Sequence, residues 1–229
     1  MDSGQDKQRF HDLLDTHGPA LPLDEACYLV CRLAGHDVDI AAQQAALDFA
    51  AQQLVPTFEG IVSALFRGPG ALRGNVDEYY DLRNSMLSEV QRSGLGIPIT
   101  LSVLALEHAR RIGVPMLGIG LPGHFIVGSA LDADLFADPF HGGQLLDRDG
   151  VRQLFGRVTN RPERWRESYI TPVSERDIVF RILNNIKVAC ARTLADRVHL
   201  PWVLELLSWF PQGDPFDPLA AKRAMSPFN

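Results

Sequence analysis

Cysteine is scarce in this chain: three residues in 229. An odd number excludes a fully paired disulfide framework and agrees with a reducing compartment. Long apolar runs are missing as well. No stretch reaches the length of a membrane span, and the opening MDSGQDKQRF holds no apolar core of the kind a secretory signal needs, so a cytoplasmic location and no membrane contact are the expectation. Positive charge is in deficit, with 22 Lys and Arg against 28 Asp and Glu and a net charge of -6. That balance gives no general attraction to nucleic acid or to an anionic surface.

What remains is enough apolar material, 46% of the residues, for one main domain with helical additions. The one local concentration of arginine, Arg157, Arg161, Arg164 and Arg166, is interleaved with Glu163 and Glu167 and is expected to form a solvated helical face. Cys27 and Cys31 stand four apart in EACYLVCRLAG, on one face of a helix. With no second Cys or His pair at zinc-ligand spacing, they read as buried small hydrophobes. No metal site and no cofactor is expected.

Residues 5 to 66 read as helices, QDKQRFHDLLDTHG, LDEACYLVCRLAG and DIAAQQAALDFAAQQLVP, separated by Gly and Pro punctuation. From Gly74 to Gly143 the character changes. A helix is expected to start at Pro98, where the missing N–H costs nothing, and to stop at Gly113. Three short strands should follow, in MLGIGL, HFIVGS and DLFADP. If the last two form a hairpin with Ser129 facing Ala133 around a three-residue loop, His124 lies directly opposite Asp138, with Cβ atoms about 4.5–5.5 Å apart. From Ser174 two amphipathic helices should form a hairpin with a break near His199 and Pro201, burying Trp202, Trp209 and Phe210. The tail after Pro211, rich in Pro, Gly and Asp, reads as extended.

The ordered phrases YYDLRNS, GIPITLS, GVP, GLPGHF and DPFHGG resemble the transglutaminase-like superfamily, and in particular its SirB-type branch of bacterial proteins. The resemblance implies an α+β fold: a papain/transglutaminase-like core, in which a central helix packs on a small antiparallel sheet, with an N-terminal helical subdomain and a C-terminal tetratricopeptide-like helical hairpin. The boundaries it suggests are 1–70, 71–172, 173–212 and a tail at 213–229. In active members a cysteine opens the central helix and a His and an Asp complete the triad, the helix terminus favouring the thiolate. His124 and Asp138 match the latter two positions, and the thiol position falls on Pro98.

Proline carries no nucleophilic atom. Thr100 lies about 200° around the helix from position 98, and Ser102 lies within about 40° of it but about 6 Å deeper. Helix-start or buried-polar roles suit both hydroxyls better than catalysis. His124 and Asp138 admit two readings, a hydrogen-bonded brace of the hairpin or a retained polar pocket. Tyr79, Tyr80, Asp81 and Asn84 fit an Asx-type turn with aromatic packing, and the resemblance places them along the same cleft. His141, in the HGG turn, reads as an exposed loop residue and is counted, with Thr100 and Ser102, among the candidate cleft residues. The leading expectation is a non-catalytic binding or interaction module with a protein or peptide partner. The alternatives are a hydrolase of amide or ester bonds in which His124 and Asp138 activate water, and a scaffold acting through its helical ends.

Overall fold

The structure is a computed structural model that describes residues 3–68 and 70–210; the expected extended tail lies outside the described residues. Four helices come first: α1 (Ser3–His17), α2 (Leu23–Leu33), α3 (Ile40–Ala51) and α4 (Phe58–Phe66). Local chemistry sets where two of them begin. Asp39 accepts a hydrogen bond from Ala42 N at 3.1 Å, and Thr57 accepts from Gly60 N at 3.0 Å, each satisfying one of the free donors of a first turn.

A two-residue strand β1 (Arg73–Gly74) pairs in parallel with β2 (Leu95–Gly96), and the segment between them carries α5 (Leu87–Ser93). The central helix α6 runs Pro98–Arg111. Proline occupies its first turn, and Gly113, at φ 72°, turns the chain away after it. Its side chains are almost wholly buried, with Leu101, Val103 and Ala105 at 0% exposure, so truncating Leu101 to alanine is expected to cost about 2–5 kcal/mol.

The sheet is an antiparallel meander of β3 (Met116–Ile119), β4 (Ile126–Ser129), β5 (Phe136–Asp138) and β6 (Gln144–Leu146). Alternation divides its faces. Val127 and Ala137 join the main core with α6, whereas Ile126 and Phe136 join a smaller cluster with Val151 and Leu154 of α7 (Arg148–Thr159). The fourth strand was not anticipated. The hairpin register also differs from expectation: Val127 pairs with Ala137 and Gly128 with Phe136, a shift of two residues. The loop is longer than three residues because Ser129 Oγ accepts hydrogen bonds from the amides of Leu131 and Asp132, and Asp132 Oδ1 accepts from Asp134 N. A shift of two, unlike a shift of one, preserves which side chains share a face.

The arginine-rich stretch is solvated, but it is not one helical face. Arg157 lies in the last turn of α7, Asn160 takes the left-handed conformation that ends it, and Arg161, Arg164 and Arg166 follow among short 3-10 turns. The chain closes with α8 (Glu175–Cys190) and α9 (Leu200–Ser208). Ser174 and Asp177 cap α8 reciprocally, and Pro201 sits in the first turn of α9 rather than in the break, which falls at residues 191–199. Val203 and Leu206 form the buried face of α9 and Phe210 is buried just past its end, with Trp202 and Trp209 half-buried beside them. One hydrophobic cluster joins Phe10 of α1, Tyr28 of α2, Leu101 of α6, Leu183 of α8 and Leu206 of α9.

Polar groups also cross this core. Arg111, at the end of α6, donates to Asp24 of α2 at 2.5 Å and to Asp48 of α3 at 2.7 Å, and pairs with Glu107 one turn back. Asp24 and Glu107 are both 2% exposed. Cys27, Cys31 and Cys190 are free and buried.

Candidate functional site

The Pro122–Phe125 turn ends β3's return to β4. Its His124 sits two residues before β4, held by a hydrogen bond from its amide to Leu121 O at 3.2 Å. Asp138 is the last residue of β5 and caps the 3-10 turn Pro139–His141, its Oδ1 accepting from the amides of Phe140 at 3.1 Å and His141 at 3.3 Å. The remaining oxygen, Oδ2, receives both imidazoles: His124 Nε2 at 3.0 Å and His141 Nδ1 at 2.7 Å. Residues three apart in a 3-10 turn lie nearly above one another, which is why His141 falls back over Asp138.

The sequence-level pair is therefore a trio. His124 and Asp138 meet as expected, on a diagonal rather than directly across the hairpin, and His141 is part of the group rather than a free loop residue. Asp138 is buried, which by itself opposes its charge, but the hydrogen bonds from His124 and His141 win and hold its carboxyl well below the usual range. The bond that His141 makes to Asp138 draws its own imidazole up from its ordinary value. His124 is 7% exposed and Asp138 1%, while the His141 side chain is half-exposed. The group thus reaches solvent through one ring.

Two residues that the sequence reading did not name as site residues shape this group. Phe140 stacks edge-on against His124, His141 and Tyr79, with ring centroids 6.1, 5.3 and 5.8 Å apart. Arg181 of α8 donates to Leu121 O at 2.8 Å and to His124 O at 2.9 Å and lies over the Phe125 ring. Gly120 leaves the room for this guanidinium, because a Cβ there would collide with it. His141 was among the candidate cleft residues, although its bond to Asp138 was not foreseen; Arg181, distant in sequence, carried no signal.

The other sequence candidates spread out. Thr100, 1% exposed, accepts from Ile97 N at 3.2 Å and donates to Asn84 O at 2.7 Å. Ser102, fully buried, donates to Pro98 O at 2.8 Å. Pro98 itself is buried. Asn84 is buried and donates to Glu78 O and Tyr79 O, which fixes the loop before α5. Asp81 forms the expected Asx turn through Arg83 N and pairs with the Arg83 guanidinium. Tyr79 reaches the trio through Phe140, and burial pushes its phenol up to about 12. Tyr80 lies under Arg192, whose guanidinium carbon is 3.6 Å from its ring centre.

Two surface concavities lie elsewhere, one along Asp134, Gln144 and Gln153 and one along Leu117, Phe136 and Ile170, and neither includes the trio. Among the described residues no helix is long and apolar enough to cross a membrane.

The chain is 41% identical over 126 residues to a UPF0162 protein of Xylella fastidiosa (strain 9a5c), covering 52% of this chain and 44% of that one. It is 27% identical over 149 residues to a UPF0162 protein of Pseudomonas aeruginosa, covering 62% and 54%. A shorter match, 32% over 94 residues, joins 37% of this chain to 15% of F-box only protein 21 of Mus musculus. The chain thus spans about half the length, or less, of these relatives. No solved structure matches it. The family model described as the transglutaminase-like superfamily matches residues 34–184, which takes in α6, the whole meander and the His124–Asp138–His141 group; the chain belongs to the transglutaminase-like superfamily.

Proposed function

We propose that this chain is a non-catalytic member of its superfamily, a binding or protein-interaction module that uses the transglutaminase-like core as a scaffold. The observation that carries the reading is the state of the α6 opening. Its first residue is a buried proline, and the two hydroxyls of its first turns, Thr100 and Ser102, are buried and bonded to main-chain oxygens. A nucleophile needs a free lone pair within reach of its base. The three cysteines are buried, and burial pushes each thiol up, away from the reactive thiolate. What the site offers to a partner is its rim: half-exposed His141, with Val76 and Tyr80 exposed on the segment that packs on Phe140 through Tyr79.

A second reading has one observation in its favour. His124 uses Nε2 for Asp138, and its Nδ1 makes no hydrogen bond among the described residues, the arrangement a water-activating base requires. A panel of amide and ester substrates separates the two. The binding reading expects wild-type protein and His124→Ala to give the same background rate on every member. Turnover by wild type that His124→Ala abolishes, with the fold retained, would establish the hydrolase instead.

A further inference from the structure

We propose that His124, Asp138 and His141 form a binding site for a transition-metal dication of the zinc type. The inference needs only these three side chains and stands whether or not the surrounding rim takes a partner. Its basis is convergence. His124 Nε2, Asp138 Oδ2 and His141 Nδ1 all lie within 4.8 Å of one another, and both ring nitrogens already point at the same carboxylate oxygen, at 3.0 and 2.7 Å. In a tetrahedral site with bonds of about 2.0–2.1 Å, neighbouring ligand atoms stand about 3.4 Å apart, so the two rings would turn their nitrogens from Oδ2 toward an ion seated between the three atoms.

The donor types narrow the metal. Two imidazoles and one carboxylate suit zinc and the later first-row dications, whereas calcium and magnesium prefer all-oxygen shells. The ligands are also held from behind. Asp138 Oδ1 is taken by the amides of Phe140 and His141, which leaves Oδ2 as the vertex turned to the rings. The His124 carbonyl is clamped by Arg181, so its ring is carried on a fixed backbone. His141 is half-exposed and gives an ion a path that neither His124 nor Asp138 offers. Three protein ligands leave a fourth position for water, the pattern of open rather than closed zinc sites. Binding displaces the two ring protons now directed at Oδ2, so it releases protons wherever the rings are cationic.

The group also works without an ion, as a hydrogen-bonded brace, and the test must separate the two. Chelator-treated full-length protein is titrated with zinc by calorimetry and with cobalt(II) by visible spectroscopy. The expected result is one site per chain, a tetrahedral or five-coordinate cobalt spectrum, and an affinity that falls about tenfold or more in His141→Ala. That variant changes an exposed side chain and should fold. Zinc should also protect His141 from acylation by diethyl pyrocarbonate, read at that residue by mass spectrometry. Absence of one-site binding would overturn the proposal. So would binding that His141→Ala leaves unchanged, which would place the ion at surface pairs such as His11 with Asp15 or His36 with Glu89. Running the substrate panel with zinc-loaded protein keeps the proposals distinct: turnover there would sink the non-catalytic reading and leave the metal site standing.

Discussion

The guanidinium of Arg181 donates to the main-chain carbonyl of His124 at 2.9 Å. These residues are 57 apart in sequence, one on the first of the two C-terminal helices and the other in the turn before β4. The same nitrogen also reaches Leu121 O, so one side chain ties both ends of the turn that presents the site histidine.

Replacing Arg181 with methionine keeps most of the stem and removes both bonds. Two partly buried carbonyls lose a charged donor, which predicts a loss of about 1.5–3 kcal/mol in urea unfolding. Arg181→Lys should recover part of it, because an ammonium keeps the charge and has donors enough for both carbonyls but stands on a shorter stem than the guanidinium nitrogen that reaches them.

Restoring a thiol tests whether position 98 and His124 share a site. Pro98→Cys places sulfur at the start of a 14-residue helix, where the terminal N–H groups favour a thiolate. Labelling with iodoacetamide, followed by peptide mapping, should modify the introduced residue at least about tenfold faster than Cys27, Cys31 or Cys190, whose thiols burial pushes up. Adding His124→Ala should remove most of that advantage. Equal rates at all four positions would mean that the burial of position 98 outweighs the helix opening, and an advantage that His124→Ala leaves intact would mean that His124 does not act on it.

The buried charges at the far end of α6 predict an order of damage. Arg111→Met removes the buried cation that Asp24 and Glu107 share and leaves them only the largely exposed Arg110, and about 3 kcal/mol or more should be lost. Asp24→Asn leaves Arg111 with Glu107 and Asp48, and a smaller loss of about 1–3 kcal/mol is expected. Equilibrium unfolding of the two variants side by side decides the order.

His108 predicts a pH dependence. Burial lowers its imidazole below the ordinary 6.5, with the charge of Arg111 acting the same way and the bond to Leu104 O, at 2.6 Å, opposing. Because the unfolded chain then binds the proton more readily, this residue's contribution is complete above about pH 6.5 and is lost as pH falls toward the folded-state value. His108→Gln should therefore show a shallower fall in Tm than wild type between about pH 7 and pH 5, measured in one buffer series.

Much of the architecture was legible because local signals agreed with the tertiary outcome. Proline at the first turn and glycine after the last bounded α6 to within two residues, and apolar alternation located three of the four meander strands. Gln144–Leu146 escaped notice because three residues with two exposed give no periodic pattern. The register of β4 and β5 depended on side-chain bonds inside the loop, from Ser129 and Asp132, which spacing alone does not reveal. At the site, the His124–Asp138 contact was legible, whereas His141 needed the geometry of a 3-10 turn and Arg181 needed the packing of α8 on the core.

Ile97 and Pro98 have a consequence for the denatured chain. Proline holds its own φ near the helical value before folding begins, and it biases the residue before it toward extended backbone, which is where Ile97 sits at φ -94°, ψ 166°. The helix opening is thus partly ordered in advance, an entropic advantage of about 0.4–1 kcal/mol over a residue with free backbone rotation. Yet this is the very position where the amide dipoles would best sharpen a nucleophile. A single backbone site can serve the economy of the unfolded ensemble or hold a reactive atom, and in this chain it serves the former.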